Sequence, residues 1–157
     1  MAKQSAGILL YRLQNNITEV FLCHPGGPFY KNKDAGVWTI PKGEFENEED
    51  SLAAACREFY EETGQELVGE FISLEPVKYK SGKIVYAWLL KGDLDAGAIK
   101  SNQFLLEWPP RTGKYISVPE IDRAAWFNLQ EAKQKILLSQ LPFLLECEKI
   151  LNAGAES

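Results

Sequence analysis

The sequence predicts a mixed α/β chain in which helices flank a mixed central sheet. Three observations support this fold class. The chain has 157 residues, 45% of them hydrophobic, which suits one compact domain. Short strand-like segments alternate with a helical pattern, and two more helical patterns follow near the C-terminal end. Because no repeat or long linker divides the chain, we expect one domain over residues 1–151 and a frayed tail over residues 152–157.

The N-terminal part predicts two strands, a loop and a third short strand. Residues 6–12 and 19–24 are rich in apolar side chains and are joined by a polar turn. The segment Pro25-Gly26-Gly27-Pro28 and the charged residues after it favour a loop. Residues 37–40 then predict a third strand.

A helix is predicted to begin near Asn47 and to end at Gly64. The Asn47 side chain can cap the first turn, and Gly64 suits a left-handed C-terminal cap. The apolar residues of this segment share one face, which we expect to pack on the sheet: Leu52, Ala55, Cys56 and Phe59. We expect the acidic residues on a neighbouring, separate face: Glu58, Glu61 and Glu62.

The remainder of the chain predicts further strands and two helices. Strand patterns at residues 70–79 and 84–91 flank a turn, and the second is apolar enough to lie centrally in the sheet. Another strand is predicted at residues 103–108, before the break Pro109-Pro110, and a last one at residues 124–127. Asn128, with Glu131 three positions later, predicts a helix start, and residues 139–151 predict the second helix.

Charge and cysteine content narrow the classes of function. The net charge of −5 argues against binding to duplex nucleic acid but is compatible with a small nucleotide. The 3 cysteines are scattered without metal-type spacing, so we expect reduced thiols in a cytoplasmic protein. The apolar run at residues 7–10 is too short for a signal core or a membrane span, and we expect no membrane partner. Both a monomer and a homodimer remain open.

The most informative feature is the acidic cluster Glu58, Glu61 and Glu62 beside Arg57. Residues three and four positions apart lie on one side of a helix, so the carboxylates converge. A solvated acidic face is the simpler explanation of such a cluster taken alone. However, like charges at this spacing destabilise a helix by about 0.2–0.5 kcal/mol per pair, and a divalent cation would remove that penalty. The cluster therefore points to a site for a hard cation.

The wider spacing resembles the Nudix box, G-x5-E-x7-R-E-U-x-E-E-x-G-U, in which U is a bulky apolar residue. The matching positions are Gly43, Glu49, Arg57, Glu58, Phe59, Glu61, Glu62 and Gly64. Gln65 departs from the pattern, because an aliphatic residue is usual there. Residues 38–44 also resemble the strand that leads into the box. The resemblance implies a Nudix-type α/β/α sandwich with a mixed central sheet, and hydrolysis of a diphosphate linkage in a nucleotide derivative.

The resemblance also implies a metal site. Mg²⁺ or Mn²⁺ would be held by oxygen ligands from the box: the Gly43 backbone carbonyl, Glu58, Glu61 and Glu62. Arg57 has two interpretations. It contacts phosphate, or, as the family pattern favours, it forms a salt bridge that orients Glu49 and its neighbours.

The general base stays open between two glutamates. In Nudix enzymes it is a box glutamate or one from a later loop, which makes Glu61 and Glu107 the candidates and Glu120 a weaker third. His24 is the only histidine, and a lone histidine at the end of a strand is more often structural than catalytic.

Substrate recognition is the least specific part of the sequence. Trp38 offers a ring for base stacking, and Lys42 and Arg111 offer charges for phosphates, although a core aromatic and solvated cations are the simpler explanations. Residues 103–114 are predicted to form one wall of the site. Residues 38–44 resemble family members that act on nucleoside triphosphates or dinucleoside polyphosphates. The alternative is a non-catalytic Nudix-like module that senses a nucleotide, but the presence of all three box glutamates favours the enzyme.

Overall fold

Helices cover both faces of a mixed sheet, as the sequence predicts. The computed structural model describes residues 3–46 and 48–156. The helices are α1 (Ser51–Thr63), α2 (Leu129–Lys135) and α3 (Leu141–Glu156). The strands are β1 (Gln4–Gln14), β2 (Ile17–Pro25), β3 (Lys42–Phe45), β4 (Ile72–Ser73), β5 (Val77–Lys78), β6 (Ile84–Lys91), β7 (Gln103–Glu107), β8 (Tyr115–Pro119) and β9 (Ile121–Asn128).

The main sheet has the strand order β4–β6–β1–β2–β9, with β5 paired to β6 and β3 paired to β1. Strands β1 and β6 run parallel, whereas the other pairs in this sheet are antiparallel. The apolar segment around β6 is therefore an inner strand, as its composition predicts. Strands β7 and β8 form a separate two-stranded sheet.

Strand β3 brings the segment before α1 into the sheet. The first residues of β1, Gln4–Gly7, pair with β3, and its last residues, Tyr11–Gln14, pair with β2. Just before β3, Thr39 also makes an isolated antiparallel bridge to Cys23 of β2. The backbone around Gly43 is thereby held by hydrogen bonds to β1 rather than left as a free loop.

Each face of the sheet has its own apolar core. Helix α1 packs through Ala54, Ala55 and Phe59 against one cluster, which includes Ile8 and Phe21. On the other face, residues of α2 and α3 complete a second cluster: Ala132, Phe143, Leu144 and Cys147. The α/β/α sandwich is confirmed.

Among the described helices, none combines the length and apolar character needed to span a membrane.

The ends of α1 differ in part from the prediction. The N-cap is Asp50, whose carboxylate accepts a hydrogen bond from the Ala53 backbone N–H at 3.0 Å. Asn47, the predicted cap, lies outside the described residues. Gly64 ends the helix with φ of 76°, in the left-handed region, as predicted.

Three further segments differ from their predictions. Residues 37–40 make only isolated bridges, and the third strand is instead β3. Strand β8 was not predicted, because its sequence lacks clear alternation of apolar and polar residues. Residues 152–156 continue helix α3, where a frayed tail was expected.

Candidate active site

Glu58 lies directly over the backbone of Gly43. A Cβ atom at residue 43 would stand 2.0 Å from the Glu58 carboxyl carbon, so a side chain there would overlap the carboxylate. Glycine at this position therefore leaves room for the Glu58 carboxylate, which a side chain on β3 would displace. The approach also brings a glutamate oxygen next to the backbone turn from which the sequence predicts a carbonyl ligand.

Arg57 braces the acidic cluster. Its Nε and Nη2 atoms donate to the two oxygens of Glu49 at 2.9 and 3.0 Å, in a two-pronged contact. Its Nη1 atom donates to Glu58 at 2.9 Å and to Glu61 at 3.3 Å. The hydrogen bonds from Arg57 lower the pKa of Glu49, and those to Glu49 raise the pKa of Arg57. The predicted salt bridge to Glu49 is confirmed.

Glu62 is buried, although the sequence places it on a face of α1 next to, and different from, the apolar face. Only 5% of the residue is exposed, and its Oε2 atom has no hydrogen-bond partner. Burial, followed by the charges of Glu58 and Glu120, raises its pKa to about 8, and the nearby Lys42 only partly offsets this effect. An unpartnered carboxylate oxygen in such a place has the chemistry expected of a ligand for a cation or an ordered water.

The side chains of the three box glutamates are not arranged around a common metal position. Within residues 3–46 and 48–156, no three His, Cys, Asp or Glu side chains stand in metal-binding geometry. Arg57 contacts one oxygen each of Glu58 and Glu61. Burial and the charge of Glu61 nevertheless raise the pKa of Glu58, so the cluster carries the like-charge strain that a cation relieves. The donor set of carboxylate oxygens fits Mg²⁺ or Mn²⁺.

A cavity of about 220 Å³ lies beside Glu62. It is lined by Cys23, Pro25, Thr39, Ile40, Lys42, Glu62, Glu120 and Ile121. Burial and then the charge of Lys83 lower the pKa of Lys42 to about 8. Lys42 thus lines the same cavity as Glu62, at the edge of the acidic cluster.

The later-loop acid at this cavity is Glu120. Its charge contributes to the raised pKa values of both Glu58 and Glu62. From the sequence Glu120 is only the third candidate for the general base, and the short link between β8 and β9 that holds it becomes visible only in the structure. With β8 in place, Glu120 is the single residue that joins two strands, which is a common position for functional side chains.

Glu107 has a different environment from the one predicted. Its two carboxylate oxygens accept hydrogen bonds from the backbone N–H groups of Arg111 at 3.0 Å and Gly113 at 3.2 Å. It thus closes the turn of its own hairpin and is not one of the cavity-lining residues. Arg111 lies exposed in the same turn, with φ of 64°.

Trp38 and His24 are structural residues in this arrangement. Trp38 is 4% exposed, and its indole N–H donates to Asp34 at 2.9 Å, which conflicts with the prediction that its ring stacks a nucleobase. His24 is fully buried. Its Nδ1 atom is 2.8 Å from Asp122 Oδ1, and its Nε2 atom is 2.6 Å from the Lys33 carbonyl oxygen. The structural interpretation of His24 is confirmed.

Comparison with known proteins identifies the family. The NUDIX domain model matches residues 1–147. The chain belongs to the Nudix family. Its hydrolases act on phosphoric anhydride bonds, and this Nudix hydrolase carries all the charged residues of the box. Among curated proteins, no significant match is found.

Solved structures share the fold at low sequence identity. An Ap4A hydrolase from C. elegans, in a binary complex, is 24% identical, with 96% of this chain and 98% of that chain covered and a TM-score of 0.64. The NUDIX domain of Shewanella oneidensis NrtR, complexed with ADP ribose, is 14% identical, with 96% and 89% covered and a TM-score of 0.66. A mutT/nudix family protein from Listeria innocua is 17% identical, with 97% and 95% covered and a TM-score of 0.64.

Proposed function

We propose that this Nudix hydrolase is a divalent-cation-dependent pyrophosphohydrolase that acts on a nucleoside triphosphate or a dinucleoside polyphosphate. The observation that carries the proposal is the buried Glu62 carboxylate with an unpartnered oxygen. It lies beside a cavity and close to Glu58, which itself sits over Gly43. A buried carboxylate is costly to a fold unless it has a partner, and a bound cation would supply one.

The residues that would hold Mg²⁺ or Mn²⁺ are those the sequence predicts: Glu58, Glu61, Glu62 and the Gly43 carbonyl. When bound, the cation would lower the pKa of a coordinated water and neutralise charge on the substrate phosphates. Arg57 would keep Glu58 and Glu61 oriented through its fixed contacts with Glu49. We assign Arg57 to positioning rather than to direct contact with phosphate, because all three of its donor atoms already bind carboxylates.

The reaction needs one proton acceptor. The water oxygen attacks phosphorus, the bridging oxygen of the diphosphate leaves with the electron pair, and a carboxylate accepts the water proton. Glu61 and Glu107 are the acceptors that the sequence predicts. We add Glu120 as the stronger later-loop candidate, because it lines the cavity while Glu107 is engaged with two backbone N–H groups.

Two cations are suited to bind the substrate phosphates. Lys42 lines the cavity beside Glu62, so its ammonium can neutralise a phosphate next to the acidic cluster. Arg111 is exposed in the turn of the β7–β8 hairpin, at the opposite end of the hairpin from Glu120, which follows β8 directly. We propose that this hairpin, residues 103–119, forms one wall of the substrate site and that Arg111 binds a distal phosphate.

The choice of substrate class rests on two supports. Residues 38–44 resemble family members that act on nucleoside triphosphates or dinucleoside polyphosphates. One protein of the same fold is named an Ap4A hydrolase, and another binds ADP ribose. Because these identities are below 25%, both ligand classes belong in the test panel.

The test is a turnover panel with products resolved by chromatography. Nucleoside triphosphates, diadenosine polyphosphates and ADP ribose are each assayed with Mg²⁺, with Mn²⁺ and with excess chelator. We expect cleavage at a diphosphate linkage that the chelator abolishes. Binding of a nucleotide without turnover would contradict the enzyme and favour a sensor module. Turnover in chelator would contradict the cation requirement.

A further inference from the structure

One exposed loop next to the cavity has no role in the chemistry described above. This segment, residues 26–34, follows Pro25, which lines the cavity. We call it the Phe29 loop. The backbone N–H of Gly26 donates to the carbonyl oxygen of Glu120, another cavity residue, at 3.0 Å. A Cβ at Gly26 would lie 1.9 Å from the Pro119 carbonyl oxygen, so glycine is needed for this contact. The loop is therefore attached to the rim of the cavity.

The buried side chain of His24 holds the loop as well. His24 is 0% exposed, and its Nε2–H donates to the Lys33 carbonyl oxygen at 2.6 Å, while Asp122 binds its other nitrogen. Within the loop, the N–H of Tyr30 donates to Gly27 and that of Lys33 donates to Tyr30. A surface loop with this many anchors presents its side chains in a fixed arrangement, which lowers the entropy cost of binding a ligand.

The side chains so presented are aromatic and basic. Phe29 and Tyr30 meet edge to face, with ring centroids 4.9 Å apart, and the Lys33 ammonium lies 3.5 Å from the centroid of Phe29. Despite both contacts, 57% of Phe29 stays exposed. A fixed, exposed aromatic ring beside a cation is suited to a ligand that joins an aromatic ring to phosphate.

We propose that the Phe29 loop is the nucleobase subsite of this protein, with the base stacked on the face of the Phe29 ring that Lys33 does not cover. The inference rests on the proposed function, because it assumes that the substrate phosphates lie in the neighbouring cavity. It assigns base recognition to Phe29 rather than to Trp38, whose ring is buried. Phe29 is four residues from Pro25, at most about 14 Å along an extended chain, so one nucleotide can reach both places.

Two small ligands isolate the base from the rest of the nucleotide. AMP and ribose 5-phosphate share the sugar and the phosphate, and only AMP has a base. Neither contains a diphosphate linkage, so neither is a substrate for the proposed hydrolysis. Their dissociation constants are measured by titration calorimetry in Mg²⁺ for the wild type and for Phe29→Leu, which keeps an apolar side chain of similar size but has no ring. Leu145→Ala, at a 48% exposed position of α3, is the matched surface control.

We expect the wild type to bind AMP more tightly than ribose 5-phosphate. Phe29→Leu should weaken AMP binding about tenfold, the loss typical of one base-stacking contact, and leave ribose 5-phosphate unchanged. Equal binding of the two ligands, no detectable binding of AMP at millimolar concentration, or an unchanged AMP affinity in Phe29→Leu would each overturn the subsite. Because the measurement needs no turnover, its failure is distinct from failure of the hydrolysis panel.

Discussion

Replacing Glu62 with glutamine should raise the stability of the metal-free protein and lower its activity. Glu62→Gln removes an ionisable carboxyl group that is 5% exposed, has one unpartnered oxygen and lies near Glu58 and Glu120, and whose pKa is raised to about 8 by burial. In the metal-free protein at neutral pH this carboxyl group must take up a proton on folding, because burial and the neighbouring carboxylates penalise its charged form, and this proton uptake opposes folding. The substitution should therefore stabilise the metal-free fold while it removes a ligand of the proposed cation.

The size of the effect follows from the environment of the carboxylate. Keeping a carboxyl group with this raised pKa in the fold costs about 1–3 kcal/mol at neutral pH, and the amide, which does not ionise, has no such cost. For a chain of this length, 1 kcal/mol shifts Tm by about 2–4 °C, so we expect Tm in excess chelator to rise by about 2–12 °C. At the same time kcat should fall by about a hundredfold or more, as expected for loss of a charged metal ligand.

Thermal unfolding with and without Mn²⁺ tests both parts. A ligand that binds only the folded state raises Tm, so Mn²⁺ should stabilise the wild type more than Glu62→Gln. Glu66→Gln, an exposed glutamate just beyond α1, is the control and should change neither quantity. A variant with lower Tm in chelator, or with full turnover, would refute the reasoning that Glu62 is strained without a cation and useful with one.

Three other predictions follow from the site. Arg57→Lys should lower kcat with little change in KM, because an ammonium cannot reproduce the two-pronged contact with Glu49. A rise confined to KM would instead indicate that Arg57 binds the substrate directly. Glu120→Gln should slow the single-turnover rate more than Glu107→Gln. The opposite order would indicate that Glu107, in the hairpin turn, is the general base. His24→Leu should destabilise the fold by about 1–3 kcal/mol in urea unfolding, because the Asp122 carboxylate and the Lys33 carbonyl lose their hydrogen bonds to the buried ring. An unchanged midpoint would contradict the anchoring role.

Most of the secondary structure could be predicted from local sequence patterns. Strands β1, β2 and β6 and helices α1 and α2 fall close to their predicted positions, because apolar periodicity and capping residues act over short distances. The predictions failed where pairing partners decide the structure. Residues 37–40 are rich in β-forming side chains but find only isolated bridges, and Lys42–Phe45 becomes a strand because β1 is beside it.

The candidate site, too, could be predicted from the sequence only in part. The resemblance to the Nudix box favoured a salt bridge from Arg57 to Glu49, and the structure contains it, since a helix and its preceding turn hold the two residues close together. It was not enough to predict that Glu62 is buried, because burial depends on what the sheet places against that side of α1. Glu107 and Glu120 were likewise indistinguishable by sequence, and the hairpin turn and the cavity separate them.

The sequence by itself determined the family, the fold class and the acidic cluster, because residues at fixed spacing on one helix have fixed relative positions. Only the tertiary structure decided which aromatic ring is accessible. Trp38 is enclosed by His24 and Phe127, whereas Phe29 stands exposed on an anchored loop at the rim of the cavity. The physical reason is that solvent exposure depends on contacts between segments far apart in the chain, and neither the composition nor the local pattern of a segment specifies those contacts.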